Sequence, residues 1–455
     1  MTADIDPTDP HFPALHRVHP RGWLNDPNGI LRTSDGRWHV FFQHNPDSTR
    51  HEQILWGHMS SPDLVSWRVE PHGPAPQAGR ADEDGCWSGI GLLDGAGEGA
   101  VPSLVYSGVS GSDHQLAQVM VSRLDQSGTS LERPGEVVAE IPAVEGLIGV
   151  RDPFVFAHGG RRWAIQGAGV RTAEGFLPSL PLYSCDDLDS WEHVGTLLDG
   201  GDPLAAEHAP ADLWECPQLV PVDGRWVLIL SLWRHPETHA RSTVQVNHLV
   251  GDLVDGSDGV PRFVPTAGGR TDLGADFYAP QAVVDADGDR VLVWGWSWEG
   301  AERSQEQTDA QGWAGTLTFP RELRLDGEEL RAVPAAELVA LRAEELPVEE
   351  LPVGRAEGGD AGGEGVLDLP SPARAEIRSA GPVTVEILAE GGPAREVLAT
   401  DDGPATLFLD ASLLEHLPDA ATPRTVRFYP GEGDRVRVRG ALESAWRLEV
   451  PTPES

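Results

Sequence analysis

The sequence predicts an all-β fold: a five-bladed β-propeller followed by a small C-terminal β-sandwich. Three observations carry that expectation. Short apolar runs bounded by Gly, Pro, Asp and Asn fill the first 325 residues, and helical periodicity is scarce there. One hairpin pattern recurs five times at a nearly constant interval. Of the 15 Trp, only Trp446 lies beyond Trp313, so the chain changes character after about residue 325.

Each of the five units has a polar tag, a short strand, a Gly-containing turn and a second strand. They span Asn25–Gln43, Trp87–Gly108, Arg151–Gly167, Glu215–Ser231 and Tyr278–Trp296. Aligned on Asp26, Ser88, Asp152, Glu215 and Tyr278, they lie 62, 64, 63 and 63 residues apart. Radial repetition of antiparallel sheets produces such a period. Five unrelated hairpins in a large sandwich would have no reason to keep it.

Gly312–Leu325 (GWAGTLTFPRELRL) follows the fifth unit. A short helix is expected next. Pro334 suits a first helical position, AAELVALRAEEL supplies Ala, Leu and Glu, and Pro347 stops it. Pro347–Gly365 is rich in Glu, Gly and Pro and reads as a linker. Short alternating stretches return from about Val366, with few large aromatics, and suggest the sandwich. The expected boundaries are 1–325 for the propeller, 326–365 for a helical bridge and linker, and 366–455 for the sandwich.

Composition excludes several classes. Lys+Arg total 34 against 72 Asp+Glu, a net charge of -38. That surface disfavours nucleic acid and anionic membranes as partners. Cys86, Cys185 and Cys216 are odd in number and far apart, so neither a disulfide framework nor a zinc ribbon is expected. The N-terminal stretch MTADIDPTDPHFPALH lacks the basic and apolar regions of a signal peptide. No apolar run approaches the ~18 residues of a spanning helix. A cytoplasmic location is the expectation.

In a propeller, equivalent positions of successive blades face one axis. The five tags should therefore meet at one mouth of the channel, and three of them are the acids Asp26, Asp152 and Glu215. Glycoside cleavage uses two carboxyls flanking one bond, one to protonate the leaving oxygen and one to attack or to activate water. A third can hold sugar hydroxyls and favour positive charge on the ring. Taken singly, each acid has a plainer reading. Asp26 lies in NDPNG, good turn chemistry; Arg151–Asp152 suits an ordinary ion pair; Glu215 suits a rim charge. Their recurrence at related positions favours a polar site.

Rival motifs are weak. HPETH (His235–His239) lacks the glutamate of a zinc-protease helix and reads as a loop. GIGLLDG and GAGEG are short turns with no helix after them to hold a phosphate. No GxSxG elbow is present. Cys216 has no His constellation and reads as a small buried residue.

At these same residues the chain resembles glycoside hydrolase family 32, the invertase, β-fructofuranosidase and fructanase family. WLNDPNG (Trp23–Gly29) is similar to the family's sequence around its nucleophile. FFQHNP (Phe41–Pro46), WGHMSSPDLVSW (Trp56–Trp67), WSG (Trp87–Gly89), RDP (Arg151–Pro153), WECP (Trp214–Pro217), DFYAPQ (Asp276–Gln281) and GWAGTLTFPREL (Gly312–Leu323) follow in the family's order. The resemblance implies Asp26 as nucleophile, Glu215 as general acid and then base, and Asp152 as stabiliser of the oxocarbenium-like transition state. It implies Asn25, Gln43, Ser88 and Arg151 as the lining of a fructose pocket, with Arg151 helping to keep Asp152 ionised. It implies no metal or organic cofactor.

Departures from the family pattern are also visible. Members commonly carry a Trp about eight residues after the Gln of the QHNP segment; here Asp47–Gln53 (DSTRHEQ) has no aromatic, and His51 lies near that place. The usual WSGS or FSGS reads WSGI, ending in Ile90. The sandwich is shorter than usual. The expected activity is release of terminal non-reducing β-D-fructofuranosyl residues from a small fructose-containing saccharide, most simply sucrose or its 6-phosphate. A fructosyltransferase, a fructan exo-hydrolase and a non-catalytic sugar-binding propeller are the alternatives. Oligomeric state is left open.

Overall fold

The computed structural model describes residues 9–235, 245–285, 288, 290–351 and 364–451. Five antiparallel sheets stand around an axis, and each begins with an inner strand. The inner strands are Gly22–Arg32, Gly85–Asp94, Leu147–His158, Leu213–Val222 and Tyr278–Val284. Each touches the next, and the fifth touches the first, so the ring closes. Among the described residues, blades two to four each contain four strands in sequence order. Blade one adds a parallel strand, Trp313–Ala314, beside Gly22–Arg32. The chain is thus a five-bladed propeller with an additional C-terminal sheet domain.

Amide side chains stitch the inner strands together. Asn28 of blade one accepts from the Gly89 N–H of blade two at 3.1 Å. Gln218 of blade four accepts from the Ala282 N–H of blade five at 2.9 Å. Gln281 of blade five accepts from Ile30 N–H at 2.8 Å and donates to the Gly89 carbonyl. Inner strands have no sheet neighbour toward the axis, so these amides supply partners that a sheet would otherwise provide.

Each inner strand carries a bulge at its tag. The pairing skips between Asn25 and Pro27, Trp87 and Gly89, Glu215 and Gln218, and Tyr278 and Gln281; in blade three it skips opposite Asp152. Asp152, Cys216 and Ala279 have positive φ of 59, 45 and 43°. That corrects the tag register by one residue. Asp26 and Ser88 correspond to Asp152, Cys216 and Ala279, whereas Glu215 and Tyr278 correspond to Asn25, Trp87 and Arg151. A bulge sets two residues against one partner, so both can be aimed at the channel mouth.

The segment after residue 325 differs from expectation. Glu329–Pro334 is the outermost strand of blade five, paired with Arg321–Asp326. Among the described residues of this segment, helical structure is limited to a 3₁₀ turn, Ala336–Leu341, whose buried Leu338 and Leu341 are three apart. That spacing suits the 3₁₀ repeat. Arg342–Glu345, read as helix from its composition, instead pairs with the C-terminal strand Arg435–Leu448. Within the expected linker, Glu349–Leu351 pairs with Glu364–Pro370; residues 352–363 lie outside the described residues. So does most of HPETH, from 236 onward.

In the C-terminal domain two long strands, Arg374–Leu388 and Arg435–Leu448, pair along most of their length. Their outer neighbours change half-way: Ala405–Asp410 borders one half of Arg374–Leu388 and Ala394–Thr400 the other. One apolar core, including Ile377, Val385, Leu407, Phe428 and Val438, gathers residues from both halves. The sheet therefore folds on itself as two layers. Among the described residues no helix is long and apolar enough to cross a membrane.

A buried charge cluster joins the propeller to this domain. His16 meets Asp410 through Nδ1 and Glu415 through Nε2, both at 2.9 Å. Arg321 donates to Asp272 at 2.8 Å and to Glu415 at 2.6 and 2.9 Å. Asp272 and Arg321 belong to the propeller side, Asp410 and Glu415 to the C-terminal sheet.

Candidate active site

The bulges, with Gln43 on the strand paired opposite Asn25, bring the expected site residues to one mouth of the channel, in two hydrogen-bonded sets with Asp152 between them. The first surrounds Asp26. Its Oδ2 accepts from Ser88 Oγ at 2.6 Å and from Gln43 Nε2 at 3.2 Å, and its Oδ1 accepts from Asn25 Nδ2 at 2.9 Å. Trp23 Nε1 donates to Asn25 Oδ1 and holds that amide in place. All of these donors are neutral.

The second set surrounds Glu215. Arg151 donates to its Oε1 from Nε at 3.0 Å and Nη2 at 2.9 Å, while Tyr278 donates to its Oε2 at 2.6 Å. The Arg151 guanidinium lies 6.0 Å from the Trp87 ring centre and 5.7 Å from that of Trp233. Both faces are thereby suited to cation–π contact. Arg151 hydrogen-bonds Glu215 and the Gln115 carbonyl, and it acts on Asp152 through its charge alone, in the direction expected.

Asp152 lies between the two sets. Its backbone N–H donates to Ser107 Oγ at 2.8 Å, and its Oδ2 accepts from the Cys216 N–H at 2.9 Å. Cys216 Sγ is 3.6 Å from that oxygen and 3.7 Å from Asp26 Oδ2. The thiol thus bridges two carboxylates from different blades. Burial and the surrounding acids push its pKa far up, so it stays a thiol.

Electrostatics separates the acids. Burial raises Asp26 to about 6; the bonds from Ser88 and Asn25 oppose the rise, and the Glu215 charge adds to it. Burial also raises Asp152 to about 7, against the pull of Arg151 and with the help of Glu215 and Asp26. The ionising benefit expected from Arg151 is real in direction but smaller than the desolvation. Asp26 and Asp152 are both buried, whereas the Glu215 side chain retains 17% exposure.

Sequence reading set Tyr278 at the mouth as the fifth tag but gave it no role, and it read Cys216 as a small buried residue; both lie in the site. A signal for Cys216 was present: NDP, RDP, ECP and YAP recur at Pro27, Pro153, Pro217 and Pro280 and put Cys216 in the place of Asp26 and Asp152. Aromatic rings extend the wall. Tyr278 stacks on Trp298 at 5.3 Å, and Trp296 meets Trp23 edge-on at 5.7 Å.

Residues 16–334 match the family model described as the glycosyl hydrolases family 32 N-terminal domain. The chain belongs to glycoside hydrolase family 32. Two relatives from Escherichia coli are similar over roughly three quarters of the chain. The sucrose-6-phosphate hydrolase is 31% identical over 343 residues, 73% of this chain and 66% of that protein. The raffinose invertase is 31% identical over 346 residues, 74% and 67% of the two chains. The matched stretch thus spans about two thirds of the length of these relatives. A family 32 β-fructofuranosidase from Bombyx mori has a similar fold, with a TM-score of 0.75 at 22% identity over 99% of this chain and 97% of that one.

Proposed function

We propose that the protein is a retaining β-fructofuranosidase that hydrolyses the terminal non-reducing β-D-fructofuranosyl residue of sucrose or sucrose 6-phosphate. The observation that carries the reading is the convergence of Asp26, Asp152 and Glu215 at one channel mouth in a chain of this glycosidase family. Sucrose 6-phosphate follows the relative named sucrose-6-phosphate hydrolase, and sucrose is the same fructoside without the phosphate.

Asp26 is the nucleophile in this reading. Neutral donors orient it without the strong stabilisation a cation would give, and burial leaves its charge poorly solvated. Its carboxylate attacks C2 of the fructosyl unit, and the bond to the leaving oxygen breaks. Glu215 gives its proton to that oxygen, then takes one from the water that cleaves the fructosyl ester. The greater exposure of Glu215 supports that role, because leaving group and water both arrive from the open side. Asp152 holds fructose hydroxyls and faces the positive charge that develops on the ring. Asn25, Gln43 and Ser88 fix the nucleophile, and Arg151 with Tyr278 fixes the acid/base.

The test is release of fructose from sucrose, sucrose 6-phosphate, inulin and levan. Hydrolysis of at least one small substrate is expected, with β-fructofuranose as the first anomer seen by NMR. Silence on all four overturns the reading, and an initial α anomer overturns retention.

A further inference from the structure

From the same site, and resting on the hydrolase reading above, we infer that His51 is a positioning residue that locks the Gln43 amide so that its NH₂ faces the nucleophile. His51 Nε2 lies 2.8 Å from Gln43 Oε1. Gln43 Nε2 lies 2.5 Å from Ser88 Oγ and 3.2 Å from Asp26 Oδ2. Ser88 has one hydroxyl hydrogen, and it goes to Asp26 Oδ2. An ionised Asp26 can only accept. The end of Gln43 between these oxygens must therefore donate, and the end facing His51 must accept. His51 then carries its proton on Nε2.

The consequence follows from amide geometry. A glutamine amide has two nearly isosteric ends, and a half-turn exchanges them. With the N–H of His51 present, the half-turn sets NH₂ against N–H and Oε1 against a carboxylate. Without it, only the Asp26 side opposes the flip. The flipped state removes a donor from Asp26 and adds a repelling oxygen. Other groups facing Asp26, namely Asn25, Ser88, Cys216, Asp152 and Glu215, do not touch the His51 end of the amide.

Trp23 and Trp87 flank the His51 ring in edge-type contacts at 6.1 and 5.6 Å between ring centres. Those contacts need only an aromatic ring. The hydrogen bond needs a donor at the Nε2 position. A donor is present in the neutral Nε2–H form and in the imidazolium alike, so the lock holds across the working pH range.

Two substitutions separate ring from donor. His51→Phe keeps the ring and loses the N–H; His51→Gln places an amide N–H near the old Nε2. His51→Phe should lower kcat/KM about tenfold, chiefly through kcat. It should also move the acidic limb of the pH profile upward by about half a unit, because Asp26 loses a donor to its charged form. His51→Gln should restore most of both. In a Gln43→Ala background, His51→Phe should cost nothing further.

Wild-type kinetics from His51→Phe, an unmoved acidic limb, no recovery in His51→Gln, or full additivity with Gln43→Ala each overturns the inference while the hydrolase reading stands. If the wild type is silent on all fructosides, the hydrolase reading falls, and ¹⁵N NMR of the imidazoles still tests the lock. An Nε2–H ring for His51 is expected; an Nδ1–H ring overturns it.

Discussion

Replacing His16 by Phe removes the cation from the centre of the interdomain charge cluster while keeping a flat ring. That ring stacks on Phe319 at 3.6 Å, so packing is conserved. His16, Asp410 and Glu415 have fully buried side chains, and each imidazole nitrogen meets a carboxylate at 2.9 Å. A neutral imidazole has one N–H, and two carboxylates require two, so the ring is an imidazolium. Burial works against that charge, but the bonds and charges of Asp410 and Glu415 outweigh it and raise the pKa above 6.5.

The magnitude follows from the count. Two charge-assisted bonds at roughly 1.5–3 kcal/mol each overlap the roughly 3–5 kcal/mol found for breaking a buried ion pair. Some compensation remains, since Arg374 bonds Asp410 at 3.0 Å and Arg321 bonds Glu415. His16→Phe should therefore destabilise by about 3 kcal/mol at pH 6, near the lower end of those ranges. The assay is urea unfolding followed by Trp fluorescence, wild type against variant, from pH 6 to pH 9. The ring's folded pKa lies above its unfolded 6.5, so its contribution is complete below 6.5 and is lost as pH rises through the folded value. The gap between the proteins should narrow toward pH 9. A penalty under about 1 kcal/mol at pH 6, or a gap that widens with pH, would refute the imidazolium assignment.

Three further outcomes follow from the site. Asp26→Asn and Glu215→Gln should each lower kcat by at least about a thousandfold with unchanged far-UV circular dichroism; retained turnover in either refutes its role. As the proposed nucleophile Asp26 has to be ionised, and burial lifts it to about 6, so kcat/KM should fall as pH drops through about 6; a flat profile down to pH 5 contradicts this. At Gly167 an added Cβ would lie 2.1 Å from the Trp214 carbonyl and 3.3 Å from the Glu215 Cα. Gly167→Ala should therefore shift the Glu215 strand and lower both activity and thermal midpoint, and normal values for both would show that the strands can separate at little cost.

How much of this was legible in the sequence depends on how local its cause is. The five units could be read because hairpins are local and the period is long and regular. The meeting of Asp26, Asp152 and Glu215 followed from the period alone. The one-residue error at Glu215 and Tyr278 arose because a bulge makes two neighbours face the same mouth, and a 63-residue spacing does not distinguish them. Proline did: it lacks an N–H, suits a bulge, and marks Pro27, Pro153, Pro217 and Pro280 as equivalent. The Arg342–Glu345 strand was not legible, since its partner lies about a hundred residues away and its Ala, Glu and Arg favour helix locally. The Arg151 partner was hidden for a similar reason: adjacency to Asp152 in the chain says little about where a long side chain ends.

That last correction changes how the site divides its labour. Arg151 and Glu215 occupy the same bulge position in successive blades, as do Asp152 and Cys216. Side chains at equal height on neighbouring strands meet across the axis, so Arg151 reaches Glu215, and Asp152 meets the Cys216 N–H. Asp26 has Ser88 as its counterpart in the next blade and receives a neutral hydroxyl. The propeller thereby gives the cation to one carboxylate and withholds it from the other. A nucleophile held by a guanidinium would be stabilised before attack and less reactive in it, whereas a hydroxyl orients the carboxylate at smaller electrostatic cost. The difference between the two acids is set by which residue occupies the adjacent blade's bulge, a choice made 62 to 64 residues away in the chain.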